Sequence, residues 1–178
     1  MKAFLFFRFW LIAAILSGMG GCGYTTQSAL PARLKTICVE PFVNNIDYTA
    51  SDDRQIYFPL LEVKVRNAII DRFLFDGNLR VAEKDQADLV LSGELIRYER
   101  YALRYTDNDD VQEYRVHVIV NLVMKDCRQN EVFWEESGFA GEATYFVSGA
   151  MATTESSALE EATVDLARRV VERTIENW

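Results

Sequence analysis

The chain has 178 residues, 49% of them hydrophobic and 26% charged, and a formal net charge of −8. That length supports one domain with a real core, and the composition is globular rather than disordered or multiply membrane-spanning. An acidic chain without a basic run argues against nucleic acid as the partner.

The first 21 residues read differently from the rest. Lys2 gives a positive start, and Phe4 to Leu16 is apolar apart from Arg8. This stretch is shorter than the roughly 20 residues that span a bilayer, and small residues follow at once in Ser17, Gly18, Gly20 and Gly21. The layout is that of a secretory signal peptide, removed from the mature chain. Its end, "GMGGC", resembles the lipobox of bacterial lipoproteins, with Met19 where leucine is usual. The resemblance implies that Cys22 becomes the first mature residue and carries the acyl chains. Two or three acyl chains, at about 0.8 kcal/mol per buried methylene, far exceed the marginal hold of one. Residues 22–33 are then a lipidated N-terminus and a short polar tether. At about 3.3–3.6 Å per residue, Gly23 to Arg33 reaches at most roughly 40 Å.

Residues 34–178 read as a single domain. "LKTICVEPFV" (Leu34 to Val43) is a β-branched, apolar run and predicts a buried strand. "NNIDYTASDDRQ" is turn chemistry. Leu61, Val65, Ala68, Ile69 and Phe73 then recur at helical spacing, so a helix is expected over about 59–75, with Pro59 at its first position and Gly77 just past its end. "LRVAE" is a short strand, followed by two long ones, "ADLVLSGELIRYERYALRYT" and "VQEYRVHVIVNLVMKD", joined by "DNDD" at 107–110. In the second, Tyr114, Val116, Val118, Val120, Leu122 and Met124 fall on one face, opposite Glu113, Arg115, His117, Asn121 and Lys125. "DCRQN" leads into a further strand, "EVFWEESGFAGEATYFV". A capping box at Ser157 to Glu160 opens a last helix to about Glu176. The order is β-α-β-β-β-β-α, which predicts an α+β two-layer sandwich, two helices on one face of a mostly antiparallel four- to five-stranded sheet. Cys38 falls in a strand and Cys127 in a turn, so a free buried thiol and a turn residue are expected rather than a disulfide.

Catalytic chemistry finds little support. The one histidine of the chain, His117, sits on the polar face of a strand. No cysteine or histidine cluster has metal-ligand spacing. Asp107, Asp109 and Asp110 lack the glycine and distal glutamate of a calcium loop, and no glycine loop opens a helix to cradle phosphate. The expectation is a protein that is not an enzyme and takes no cofactor. Strand length stands out instead. The central arms approach sixteen residues where five or six is usual, and the tip near 107–110 carries Arg97, Arg100, Arg104 and Arg115 with Tyr98, Tyr101, Tyr105 and Tyr114. Arginine mixed with tyrosine is enriched at recognition surfaces. The candidate ligand- or partner-binding residues are therefore Arg97, Arg100, Arg104, Arg115, Tyr101 and Tyr105, with Arg104 and Arg115 expected nearly opposite each other. A plainer reading pairs these arginines with Glu94, Glu99 and Glu113.

Several stretches together resemble the LptE-type outer-membrane lipoprotein of the lipopolysaccharide-assembly translocon. They are "GCGY" (Gly21 to Tyr24), "LKTICVEPFVNN", "FLFDGNLRV", "ADLVLSGELIRYER", "DCRQNEVFWEE" and the final helix ending in Trp178. The resemblance covers essentially the whole mature chain. It implies a sandwich docked in a β-barrel outer-membrane protein, contact of basic residues with lipopolysaccharide, an acyl anchor in outer-membrane lipid, and a place at the periplasmic face of the outer membrane. The alternative is a lipoprotein that activates or scaffolds another envelope machine, such as a cell-wall synthase. That role needs a tether long enough to cross the periplasm, and this tether is short.

Overall fold

A computed structural model describes residues 30–47 and 58–176. The signal segment, Cys22, most of the tether, the polar stretch 48–57 and Trp178 lie outside the described residues. The elements are β1 (Thr36–Val39), β2 (Val43–Asn44), α1 (Leu61–Asp76), β3 (Arg80–Val81), a 3-10 turn (Lys84–Gln86), β4 (Leu89–Tyr105), β5 (Val111–Asp126), β6 (Glu131–Phe146) and α2 (Glu155–Glu176). They form one six-stranded sheet ordered β3-β1-β4-β5-β6, with β2 also on β4. β4, β5 and β6 are antiparallel along their length, whereas β1 joins β3 and β4 in parallel and β2 joins β4 in parallel.

The expected first strand is thus two. Glu40 N–H still bonds Leu91 C=O, at 2.9 Å, and Asn45 N–H resumes at Leu95 C=O, at 2.8 Å. Between them stands Pro41, which has no N–H to give. The break turns Phe42 over Gly93, where any side chain would collide, since a Cβ there would lie 2.3 Å from the Phe42 ring.

Both helix starts differ from the sequence expectation. α1 begins two residues after Pro59, because Leu60 adopts a left-handed conformation (φ 58°) and its carbonyl accepts from Val63 and Lys64. Its end is as read: Gly77 is left-handed (φ 77°) and its N–H caps Phe73 C=O. α2 begins at Glu155 because Thr154 is the cap. Thr154 Oγ1 accepts from Ser157 N–H at 3.1 Å, placing Ser157 inside the first turn.

Both helices pack on one face of the sheet. α1 offers a narrow stripe of Leu61, Val65, Ile69 and Phe73. α2, packed beside α1 and over β5 and β6, buries a broad one that includes Leu159, Ala162, Leu166, Val170 and Val171. These meet Ile37, Leu89, Leu91, Leu95, Val116, Val118, Val120, Leu122 and Met124 in one core. No helix of the described residues is long and apolar enough to cross a membrane. Cys38 is half-buried rather than buried, and Cys127 is exposed; both are free. Burial, helped by Glu40, pushes the Cys38 thiol up.

α2 also closes the free edge of the sheet. Gly141 on β6 lets the helix come close, since a Cβ there would lie 2.3 Å from Ala162 C=O and 2.5 Å from Leu166 Cβ. Asp165 then accepts from Glu142 N–H at 3.2 Å, and Arg169 Nη1 donates to Ala140 C=O at 2.5 Å. One acceptor and one donor stand in for a neighbouring strand, which protects an edge that would otherwise template strand addition.

The start of the domain is pinned by two buried carboxylates. Asp88 accepts from the N–H groups of Lys35 (2.8 Å) and Thr36 (3.1 Å) and from Arg128 Nε (2.5 Å). Asp126 accepts from Arg33 Nη1 (2.5 Å) and from the N–H groups of Arg128 and Gln129. Burial by itself would raise both carboxyls, but these donors outweigh it and hold them below the usual aspartate range. A carboxyl depressed in the folded state contributes stability that is complete above its unfolded value, near 3.9, and is lost as pH falls through the lower folded value. Acid unfolding should therefore set in below about pH 4. Asp88→Ala should cost about 2–3 kcal/mol at neutral pH, and Asp88→Asn should flatten the acid limb of denaturant-midpoint against pH. An unchanged acid limb would mean that Asp88 does not titrate with folding.

Candidate functional site

With both helices on one face, the strands have an inner, core face and an outer face. Regular alternation would put Arg100 and Arg104 on the same side. The register shift between Ala102 and Arg104 separates them. A second shift, between Leu95 and Arg97, turns Arg97 outward and Tyr98 inward.

Arg100 faces inward, at the mouth of the core. Its Nη1 donates to Glu155 Oε2 at 2.6 Å, and its guanidinium lies 4.7 Å from the Tyr114 ring centre. The same Glu155 carboxylate accepts from Tyr98 OH at 2.8 Å and Tyr145 OH at 3.3 Å. Tyr98 is 1% exposed, packs edge-on to Phe58, and has its hydroxyl pushed up by burial and by Glu155. Four groups thus converge where α2 begins, and they seal the end of the sandwich. Tyr98 and Arg100 belong to this seal rather than to an open surface, and nothing about the spacing of Glu155 from the hairpin in sequence points to it.

The outer face holds the remaining candidates in rows across three strands. Tyr101 is opposite Arg115, which is opposite Thr144. Glu99 is opposite His117, which is opposite Glu142, and Arg104 is opposite Glu113, which is opposite Phe146. Arg104 and Arg115 are therefore not paired with each other, as the residue count from the turn suggested; they occupy successive rows. Arg97 Nη1 bonds Glu99 at 2.9 Å, and Arg104 sits 3.5 Å from Glu113 and 5.7 Å from the Phe146 ring centre. Arg115 lies 3.8 Å from Glu142, and His117 Nε2 lies 3.2 Å from the same carboxylate without the geometry of a hydrogen bond. Tyr101 donates to Glu99 and packs its ring 5.5 Å from His117.

The acid–base pairing expected from Glu99 and Glu113 is present, and Glu142 and Phe146 complete it from β6. These two were legible only as outward positions of a strand whose register was unknown. Arg97, Arg104 and Arg115 keep 48%, 60% and 40% of their side chains exposed, while Glu99 and Glu113 keep only 9% and 12%, so open guanidinium groups rest on nearly buried carboxylates. Beyond the last row, Leu103, Tyr105, Val147 and Met151 are exposed apolar side chains around the 107–110 turn. Val147 N–H bonds Gln112 C=O, which ties that part of the chain to the start of β5. Among the described residues no group of three or more His, Cys, Asp or Glu side chains could hold a metal ion. The surface offers guanidinium donors and aromatic faces on one side of the sheet, an arrangement suited to recognition.

The fold recurs in solved structures of low sequence identity. Protein CT253 of Chlamydia trachomatis is 13% identical, with 79% of this chain and 95% of that one covered at a TM-score of 0.52. Protein XCC0632 of Xanthomonas campestris is 14% identical, covering 85% and 92% at 0.54. The rare lipoprotein B of Shewanella oneidensis aligns more loosely, 12% identical over 75% and 92% at 0.40. No curated protein matches the chain. The family model for lipopolysaccharide assembly, LptE, matches residues 34–174, which runs from the first core residue of the domain almost to the end of α2. The chain belongs to the LptE lipopolysaccharide-assembly family.

Proposed function

We propose that this chain is the lipoprotein subunit of an outer-membrane lipopolysaccharide-assembly translocon, anchored through Cys22 at the periplasmic face. It docks in a β-barrel partner and assists delivery of lipopolysaccharide to the outer leaflet. The observation that carries the reading is the outer face of the β4–β5–β6 sheet, where Arg97, Arg104 and Arg115 keep 48%, 60% and 40% of their side chains exposed beside Tyr101. A glycolipid brings phosphates, which guanidinium groups bind bidentately, and sugar faces, which pack on aromatic rings.

Polarity within the domain supports an upright placement. Arg33, the last tether residue, is bonded to Asp126 and Gln129, so the chain enters the domain at the β5–β6 turn. The 107–110 turn lies at the other end of β5, a strand of 16 residues, or roughly 50 Å away at about 3.3 Å per residue. A tether of at most roughly 40 Å then keeps the entry end near the membrane that holds the anchor, while the tip stands in the barrel lumen. Such a tether does not suit an activator that must reach a cell-wall synthase across the periplasm.

Three outcomes test this. Cys22→Ala should abolish fatty-acid labelling and release the protein from the outer membrane; wild type that takes up no label would remove the anchor. A photo-crosslinker at Tyr105 should capture a β-barrel protein in outer membranes, while one at Lys64 or Glu160 on the helices should not, and the reverse pattern would overturn the docking. Arg97→Gln, Arg104→Gln and Arg115→Gln together should weaken lipopolysaccharide binding by about tenfold or more and lower its salt dependence, with the fold retained, which thermal unfolding checks. Arg100→Gln should do the opposite, costing about 1–2 kcal/mol of stability with binding retained. Equal binding by the triple variant and wild type would leave the outer-face arginines as simple ion pairs.

A further inference from the structure

A second polar site lies on the far side of the sheet from the β6 edge. A cavity of about 600 Å³ opens between the parallel strands β1 and β3 and α1, within the size range of small-ligand pockets. Its wall includes Thr36, Cys38, Arg66, Arg80, Glu83 and Gln86, with apolar contributions from Val39, Ile70 and Val81. It reaches the carboxyl ends of β1 and β3, where parallel strands stop pairing and leave a crevice, the usual place for ligands in open parallel sheets.

The charges of the wall are what mark it. Arg33, Arg97, Arg100, Arg104, Arg115, Arg128, Arg168, Arg169 and Arg173 each have a carboxylate within ion-pair distance. Among the described arginines, Arg66, Arg72 and Arg80 do not, and two of these three line this one cavity. In an acidic chain whose other described arginines are nearly all paired with carboxylates, two arginines without one in the same cavity wall mark it as a place for an anion. Arg66 is already oriented: its Nε donates to Val39 C=O at 3.0 Å, which fixes the guanidinium plane and leaves both terminal nitrogens for a ligand. Glu83 is the one carboxylate in the wall. The Cys38 thiol, pushed up by burial, adds no negative charge at neutral pH.

We propose that this cavity binds a phosphate group, held by Arg66 and Arg80, with the rest of the ligand against Val39, Ile70 and Val81. The site is distinct from the outer-face arginines and stands whether or not those meet glycolipid. The phosphate belongs either to a free small molecule or to a phospholipid headgroup, and the chemistry of recognition is shared.

The test is amide NMR of the folded domain, titrated separately with inorganic phosphate and with vesicles of phosphatidylcholine with or without phosphatidylglycerol. Phosphate should shift the Cys38, Ala82 and Gln86 amides, with affinity falling as salt rises. Arg80→Gln should weaken the effect about tenfold, and Glu83→Gln should strengthen it, since the competing carboxylate is gone. Response of the same amides to phosphatidylglycerol vesicles, with the same two variant effects, identifies a headgroup as the source. Response to phosphate alone identifies a free ligand. Arg80 is exposed and its side chain enters no hydrogen bond or ion pair, so its variant should keep the fold, which thermal unfolding checks. Absence of cavity shifts in both arms, or shifts equal in wild type, Arg80→Gln and Glu83→Gln, would overturn the site.

Discussion

α2 lies against β6 only because residue 141 has no side chain, and the working parts of the domain follow from that contact. A Cβ at Gly141 would fall 2.3 Å from a helix carbonyl, so any other residue would lift the helix off the strand. Held there, α2 runs from Tyr145, whose hydroxyl meets Glu155, to Trp134, whose ring lies 5.8 Å from Arg173. Its 22 residues span about 33 Å at about 1.5 Å each, which matches that length of β6. Everything past Tyr145 towards the 107–110 turn is therefore outside the helix layer. The same approach brings Asp165 and Arg169 to the β6 backbone. The closed edge, the Glu155 seal and the projecting tip have one cause.

Most of this architecture is written in periodicity. The period-two pattern of β5 from Tyr114 to Met124 survives intact, because no register shift inverts its faces and its inner residues from Val116 on are buried. The four-residue spacing of Leu61, Val65, Ile69 and Phe73 likewise gives α1 and its inner stripe. β4 is different. Its two irregular stretches each reverse the alternation, so counting by twos from Leu91 misassigns the side of Arg97 and Arg100, and the second reversal returns Arg104 to its counted side. A bulge is decided by the partner strand and the core beneath it, and neither is visible in a local window. The ends of the helices show the same limit. Ser157 to Glu160 has the composition of a capping box, yet Thr154 lies three residues earlier and takes the role, since Glu155 has to be inside the first turn to meet Tyr98 and Arg100.

The arginine–tyrosine patch was legible as a composition and not as a geometry. Arginine and tyrosine cluster between Arg97 and Arg115 in the sequence, but the fold sorts them by face. One group, Tyr98, Arg100 and Tyr114, turns inward with Tyr145 around Glu155; the other, Arg97, Tyr101, Arg104 and Arg115, turns outward with Glu142 and Phe146. The two groups differ in energetic character. Glu155 is 21% exposed and Arg100 28%, so their bond is made in a partly dry place where an unpaired partner is costly. The outward pairs set more exposed arginines on carboxylates that are nearly buried, Glu99 at 9% and Glu113 at 12%.

Charge placement along the long axis adds a last constraint. The 107–110 turn carries Asp107, Asp109 and Asp110, with Asp109 in a left-handed conformation (φ 63°) that aspartate tolerates better than most residues. Three carboxylates at the extreme tip repel phosphate, so an anionic ligand approaching end-on meets the wrong sign first. Approach across the outer face meets Arg104 and Arg115 in successive rows, then the Glu99–His117 row, then Arg97. The tip therefore suits a protein surface, with Tyr105, Leu103, Val147 and Met151 as its exposed apolar contacts, and the face below it suits an anion. A domain docked by its tip in a protein lumen would hold the arginine rows parallel to the wall, facing whatever passes alongside.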